Sequence, residues 1–568
     1  MQVLMRKNNN MKRLLLFIIT SALLVSCEYL DPRPIQDLTT DELLSHAQYG
    51  EGLLTAAYRN LSTSYDVNSD LYTDNAVPAT PGGNRLALGN WTVQNNPIGA
   101  WDSWYASIRY LNTYLRDAKN LLFSVADPVL NETLQKNRRG EAFYLRAWYQ
   151  WLLLQTYGGY PEGATEAMGY PIVTRVLETD DNLDLPRNTY TECVDQITAD
   201  LDSAIALLPL KYNGTLSWNN LTNRGRAEGL AAMTLKARVY LFAASPAYGD
   251  STPELWQRAA KAAYDAIVAT GGNMSLVAYG NFNTGSNFDY IWIQPNTTSN
   301  GREYAYYPPS KYGRGDVNPS QNLVDQFPLK DGYPTALSPQ YSAATPYANR
   351  DTRFTRFLFF NGDVYNGTTI QTYIGGNDAP EGLSLQGTRT GYYLKKLTSA
   401  NVRLTPGDIT TDNNFTVYLG KTELYLNFIE AANEAYGPSD ATLGFSAYTI
   451  MTRIRRRAGI DSNTATSGYQ DAYLDSQVAL GKDAFRTLVH NERRLELSFE
   501  GFRFWDIRRL DLPLDHTVQG VRITNNAGVF SYEYTDVENH IFADYMRYIP
   551  VPYNQTLVMR NLKQNAGW

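Results

Sequence analysis

Apolar and aromatic residues recur at spacings of three and four along much of the chain, and that period predicts helices in pairs. "GEAFYLRAWYQWLLLQTYGGYP" (140–161) is apolar nearly all round, as a buried helix should be, and stops at Gly158-Gly159 with Pro161 beyond. "GLAAMTLKARVYLFAASPAYG" (229–249) and "PELWQRAAKAAYDAIVATGG" (253–272) follow one another closely, the second opening at Pro253 and closing at paired glycines. Ala, Trp and Tyr at these spacings let two helices approach while large rings fill the gaps, the packing of tetratricopeptide-like pairs. "KTELYLNFIEAANEAYG" (421–437) and "FSAYTIMTRIRRRAG" (445–459) make a further pair. Stacked pairs leave a concave surface on which a binding face can sit.

Between about 273 and 420 the helical period gives way to sequence rich in Tyr, Asn, Gly, Thr and Pro, with short runs such as "DYIWIQ", "RFLFF" and "GYYLKKL". Residues 66–100 and 511–546 share this style. Irregular loops and a few strands inserted among the helices are predicted there. Loops this long inside a compact domain tend to carry function.

"HNERRLELSFEGFRFWDIRRL" (490–510) is the most charged stretch, and Glu492, Glu496 and Glu500 recur in it every four residues, one face of a helix. Two carboxyl groups roughly 5 Å apart would suit a retaining glycosidase. Such a pair must flank the scissile bond from opposite sides, however, whereas side chains stacked on one helix point the same way. Arg493 and Arg503 stand three residues from Glu496 and Glu500, and Asp506 three from Arg503. Cations lower a carboxyl pKa, where a general acid needs it raised. Phe485, Leu488, Leu495, Phe499 and Phe502 run alongside as an apolar stripe. The expectation is a structural ion-pair network of Arg493, Glu496, Glu500, Arg503 and Asp506, partly buried beside that stripe.

The 568 residues are 43% hydrophobic and 19% charged, the composition of a folded chain. Removal of the first 26 positions, which hold four basic residues and no acid, would take the formal charge from −7 to −11. An acidic body argues against non-specific nucleic-acid binding. The 42 Tyr and 10 Trp, against 20 Phe, favour wet binding surfaces as well as core.

No metal site or cofactor is expected. Cys27 and Cys193 allow no zinc pattern or redox pair, and His46, His490, His516 and His540 form no close-spaced ligand set. Gly420-Lys421-Thr422 has the tail of a phosphate loop, but Phe415 stands where its first glycine belongs. Asp66, Asn68 and Asp70 have calcium-loop spacing, but Leu71 and Val77 occupy the glycine and glutamate positions. Cys193 reads as a small core residue.

"MKRLLLFIITSALLVSC" (11–27) has a positive start and a twelve-residue apolar run at 14–25. That run falls short of the roughly 20 residues a bilayer needs, so a signal peptide over 1–26 is predicted. Its end, Leu24-Val25-Ser26-Cys27, resembles the lipobox of bacterial lipoproteins, with Cys27 acylated as the mature N-terminus. A polar tether (27–37) and one domain (38–568) follow.

The motifs now assembled resemble the SusD/RagB family of outer-membrane lipoproteins from end to end. "GEAFYLRAWYQWLLLQTYGGYP", "LKARVYLFAASPAYG", "PSQNLVDQFPLKDGYP" with "NRDTRF", "TRIRRRAGI", the 490–510 stretch and "RYIPVPYNQTLVMRNLKQNAGW" stand in the family's order. The resemblance implies a mainly α fold, a right-handed superhelix of tetratricopeptide-like pairs (mainly 38–272 and 421–510) carrying loop-rich and minor β insertions (mainly 273–420 and 511–546). It implies a lipid-anchored protein at the cell surface that binds an oligosaccharide and delivers it to a SusC-like TonB-dependent transporter without catalysis. Peptide capture for such a transporter is the alternative, and glycoside hydrolysis a distant third.

Sugars stack on aromatic faces and hydrogen-bond with Asn, Asp and Arg. The loop "DLYTDNAVPATPGGNRLALGNW" (70–91), where family members often place ligand contacts, offers Asp74, Asn75, Arg85 and Trp91. The loop "NGREYAYYPPSKYGRGD" (300–316) offers Arg302, Tyr306, Tyr307, Tyr312 and Arg314. Trp101 and Trp104 share a helical face with Ile108 and Leu111 and are expected in the core.

Overall fold

The computed structural model describes residues 46–63, 65–117, 121–212, 225–271, 276, 289–295, 298–384, 387–463 and 468–568. The signal segment, Cys27, the tether and the start of the 38–568 domain up to residue 45 lie outside the described residues.

The helical period becomes a stack in which each helix packs on the next. Ala47–Arg59 lies on Trp101–Asp117, which lies on Pro128–Tyr157, followed by Tyr190–Leu207, Gly229–Ala244 and Pro253–Ala269. The chain then leaves the stack for its loop-rich excursion. It returns with Lys421–Tyr436, which packs directly on Pro253–Ala269 and is followed by Ala447–Arg457, Ala472–Leu480 and Lys482–Glu496.

Local chemistry sets the helix ends. Pro128 and Pro253 open their helices, where a missing N–H costs nothing. Thr189 and Glu192 form a reciprocal capping box at the start of Tyr190–Leu207. The fold is thus mainly helical and tetratricopeptide-like, with small strand pairs.

The described residues form three apolar clusters, a small one around Tyr307, Phe359 and Tyr393 and two larger cores that meet at a seam. The larger fills the helical stack, where Trp101, Trp104, Trp148, Trp151 and Cys193 are buried. The second, in the loop-rich half, gathers Val317, Phe327, Phe354 and Phe357. The 485–505 segment joins them, because Phe485, Leu488 and Phe502 belong to the first core while Leu495 and Phe499 belong to the second.

The single stripe expected from spacing is therefore split, and the cause is a helix end. The helix stops at Glu496, Phe499 adopts φ 60 and Gly501 φ 84, so the chain turns sharply before Arg503–Arg509 begins. A Cβ on Gly501 would lie 2.2 Å from the backbone nitrogen of Asp66, so only glycine fits this close approach. Glu492 and Glu496 share a face as expected, but Glu500 lies beyond the helix and does not.

The loop-rich half is tied by short antiparallel pairs, among them Ala76–Pro78 with Val317–Pro319 and Tyr290–Pro295 with Phe415–Gly420. Residues 511–546 are more regular than loops: His516–Asn526 and Val529–His540 pair as a long hairpin, turned at Ala527 and Gly528 with positive φ. The alternation of Val521 and Ile523 and the Asn-Ala-Gly turn carried that signal.

Candidate functional site

A cleft of about 330 Å³ opens where the two cores meet. On one side is the strand pair, with Tyr290, Phe415 and Tyr418. Gly301–Tyr306 supplies Arg302 and Tyr306, four residues apart and so on one helical face. The turn after Glu496 supplies Phe499, Glu500 and Phe502, and the first 3-10 turn, Val67–Tyr72, with the residues just before it supplies Tyr65, Asp66 and Asn68. Rings and hydrogen-bonding groups alternate around the opening, the mixture that small-ligand sites use.

Lys396 organises the wall. Its side chain is 1% exposed, and its ammonium donates to the carbonyl oxygens of Glu496 at 2.7 Å and Ser498 at 2.9 Å. It thereby satisfies carbonyls left over at the end of the Lys482–Glu496 helix. The same ammonium stands 2.7 Å from Glu500 Oε1, which fixes that partly exposed carboxylate in the cleft. The Phe357 ring lies 4.4 Å away, a favourable cation–π contact.

Behind this wall the carboxylates are clasped by arginines brought from far along the chain. Glu496 accepts from Arg457 at 2.7 Å and Arg353 at 3.1 Å, and Arg457 also reaches Asp289 at 3.1 Å. Glu492, fully buried, accepts from Arg353 at 2.6 Å and from Arg455, which also holds Asp471. Burial pushes the Glu492 carboxyl up, but the two guanidinium groups outweigh it and hold the group below its ordinary range. A general acid needs the opposite. Arg493 donates to Asp506 and Asn427, and Arg503 donates to Asp74, at 2.7 to 2.9 Å for the shorter contacts.

Four residues expected on ligand-facing loops are interior instead. Asp74 is buried between Arg494 and Arg503, at 3.0 and 2.9 Å; burial raises its pKa, but the two arginines prevail and hold it far below the carboxylate range. Asn75 is fully buried, accepting from Arg494 and donating to Asp70 at 2.6 Å. Trp91 is 4% exposed and packs on Trp568 with ring centroids 4.4 Å apart. Tyr307 is 1% exposed, and its hydroxyl donates to the Ser399 carbonyl at 2.7 Å.

Arg85, Tyr312 and Arg314 are exposed on the outer surface, with Arg314 paired to Asp316 and lying over the Tyr304 ring. Only Arg302 and Tyr306 of the nine candidates line the cleft. Burial lowers the Arg302 pKa, and its guanidinium donates to the Phe415 carbonyl at 2.7 Å. Tyr65, Asp66, Tyr290, Lys396, Tyr418 and Glu500 escaped the sequence reading as cleft residues. They come from five separate segments, and only the polar and aromatic content of "YDVNSD" hinted at any of them. Among the described residues no cluster of three or more His, Cys, Asp or Glu is placed to hold a metal ion, and no helix is long and apolar enough to cross a membrane.

Residues 275–568 match the family model described as the SusD family. The chain belongs to the SusD family. Residues 28–241 match a second model, described as starch-binding associating with outer membrane. A SusD-like protein of Formosa agariphila is 21% identical over 476 residues, covering 80% of this chain and 79% of the relative. A SusD-like protein from Bacteroides fragilis superposes with a TM-score of 0.72 at 22% identity, over 94% of this chain and all of the other. A SusD-like carbohydrate-binding protein from the same species gives 0.68 at 19% identity, over 92% and 100%. Surface glycan-binding protein A from Bacteroides fluxus gives 0.58 at 18% identity, over 92% and 99%. At these identities the superpositions establish the SusD-like fold, and the ligand must be argued from this chain's own residues.

Proposed function

We propose that this protein is a lipid-anchored glycan-binding protein of the outer membrane, exposed at the cell surface. It captures an oligosaccharide in the seam cleft and passes it to a SusC-like TonB-dependent transporter, without cleaving it. The observation that carries the reading is the cleft itself, in which Tyr65, Tyr290, Tyr306 and Tyr418 stand among Arg302, Asp66, Asn68 and Glu500. Sugar rings offer C–H faces to such aromatic groups and hydroxyls to such polar ones. The family match, the outer-membrane description of the second model and the carbohydrate-binding descriptions of two superposable proteins point the same way.

The part of this reading that leaves out hydrolysis is supported by the carboxylates' company. Glu496 is ion-paired with Arg353 and Arg457, and Glu500 with Lys396, so both carboxylates are engaged in holding the wall of the cleft.

A glycan and peptide array probed with the purified protein tests the reading. Glycan binding that weakens in Tyr306→Ala is expected, with no reducing sugar released. Peptide binding alone, or sugar release abolished by Glu496→Gln in a folded variant, would overturn it. Replacement of Cys27 by Ala should release the protein from membranes, and continued attachment would refute the anchor.

A further inference from the structure

We infer that the seam cleft selects uncharged sugar rings, one or two at a time, and turns away uronic-acid and sulfated sugars. This rests on the glycan-binding reading above and adds the ligand's charge and length.

Size sets the length. About 330 Å³ lies at the low end of the roughly 300–1,000 Å³ typical of small-molecule sites, enough for one or two rings and not for an extended chain.

Charge sets the class. Five carboxylates line the cleft, from Asp66, Asp289, Glu423, Glu496 and Glu500. Three cations face them, from Arg302, Lys396 and Arg457. Glu423 is matched from behind by Arg238, at 2.6 Å. Lys396 is committed to Glu500 and to two helix-end carbonyls, and Arg457 to Glu496 and Asp289. Glu496 is matched from behind by Arg353 as well, at 3.1 Å, and Arg302 donates to the Phe415 carbonyl at 2.7 Å, so an incoming carboxylate or sulfate would meet a wall whose cations are already engaged. To recruit Lys396 it would have to strip Glu500 of its partner and release the carbonyls of Glu496 and Ser498. Each of those losses leaves a charge or a backbone acceptor unsatisfied in a largely dry place.

A neutral sugar meets the opposite situation. Ionised carboxylates are pure acceptors, so a wall rich in them suits a ligand rich in O–H donors. Asp66 and Glu500 can accept from ring hydroxyls while the Tyr306 face covers the C–H side. The carboxylates, which have no donor to offer an anion, are thus the feature that receives hydroxyls.

The experiment is calorimetric titration of the full chain with neutral gluco-, xylo- and manno-oligosaccharides and with oligogalacturonides and sulfated oligosaccharides, each from two to four units. Tyr306→Ala and Arg302→Gln, checked for unchanged melting, serve as cleft variants. The inference expects at least one neutral series to bind, the anionic ones to bind at least 100-fold more weakly, and less than about 3-fold gain from two units to four. Anionic binding that both variants abolish would sink the inference while leaving the glycan-binding cleft intact. A steady gain in affinity up to four units would do the same to the length. Failure of every glycan to bind, or binding that neither variant changes, would take down the cleft reading and the inference with it.

Discussion

Residues 70–91 and 300–316 share a composition of rings, amides, acids and arginines, yet the first folds inward and the second opens on the cleft. In the first, Asp74 and Asn75 are seized by Arg494 and Arg503, more than 400 positions away, and Trp91 is covered by Trp568. In the second, a six-residue helix sorts its side chains by period. Arg302 and Tyr306 look into the cleft, Glu303 and Tyr307 look inward, and Tyr304 is half exposed to solvent. Composition nominates a segment, but helical period and distant ionic partners decide which way it faces.

The largest expected effect breaks the inward loop. Asp74→Ala leaves two buried guanidinium groups without their carboxylate, and should cost about 3–5 kcal/mol in chemical denaturation. A loss below about 1 kcal/mol would show that the loop is not clamped this way.

The next tests the same loop by pH. Burial pushes the Asp70 carboxyl up to about 6, against the pull of Asn75 and the N–H groups of Phe499 and Gly501. A folded pKa above the unfolded one gives stability that is full below about pH 4 and is lost as pH rises through about 6. Asp70→Asn should therefore gain on the parent between pH 4 and 7, by about 3 kcal/mol in total. A constant difference across that range would contradict the assignment.

Smaller effects sharpen the second loop. Tyr306→Ala should weaken glycan binding about tenfold or more, a change of about 1.4 kcal/mol, while melting stays close to the parent. Tyr307→Phe should do the reverse, costing about 1 kcal/mol of stability through the lost bond to Ser399 with affinity unchanged. Tyr312→Ala, on the exposed surface, should change stability by less than about 0.5 kcal/mol.

Much of the scaffold was legible, because helical period, the start at Pro253 and the stop at Gly158-Gly159 are local signals that tertiary packing only reinforced. The 490–510 stretch shows where legibility ended. Its charges could be read as structural, but the partners of Glu492 and Glu496 come from Arg353, Arg455 and Arg457, and no local spacing encodes those meetings. Nor could spacing reveal that the helix stops at Glu496, since the turn rests on Phe499 held at positive φ in the second core and on the contact of Gly501 with Asp66. Arg302 and Tyr306 were named from the mixed aromatic and polar content of the 300–316 loop, and the short helix that turns both toward the cleft was not read from it. Lys396, Glu500 and Tyr65 were missed because only the fold brings them together.

The central claim is that the seam between the two cores, and not the 70–91 loop, holds the sugar. A crystal structure of the full chain soaked with the tightest neutral disaccharide tests it most directly. The account predicts sugar density in the cleft, with a ring against Tyr306 and hydroxyls within hydrogen-bond distance of Arg302, Asp66 or Glu500. Sugar seated on the outer surface beside Arg85 or Tyr312, with the cleft empty, would contradict it.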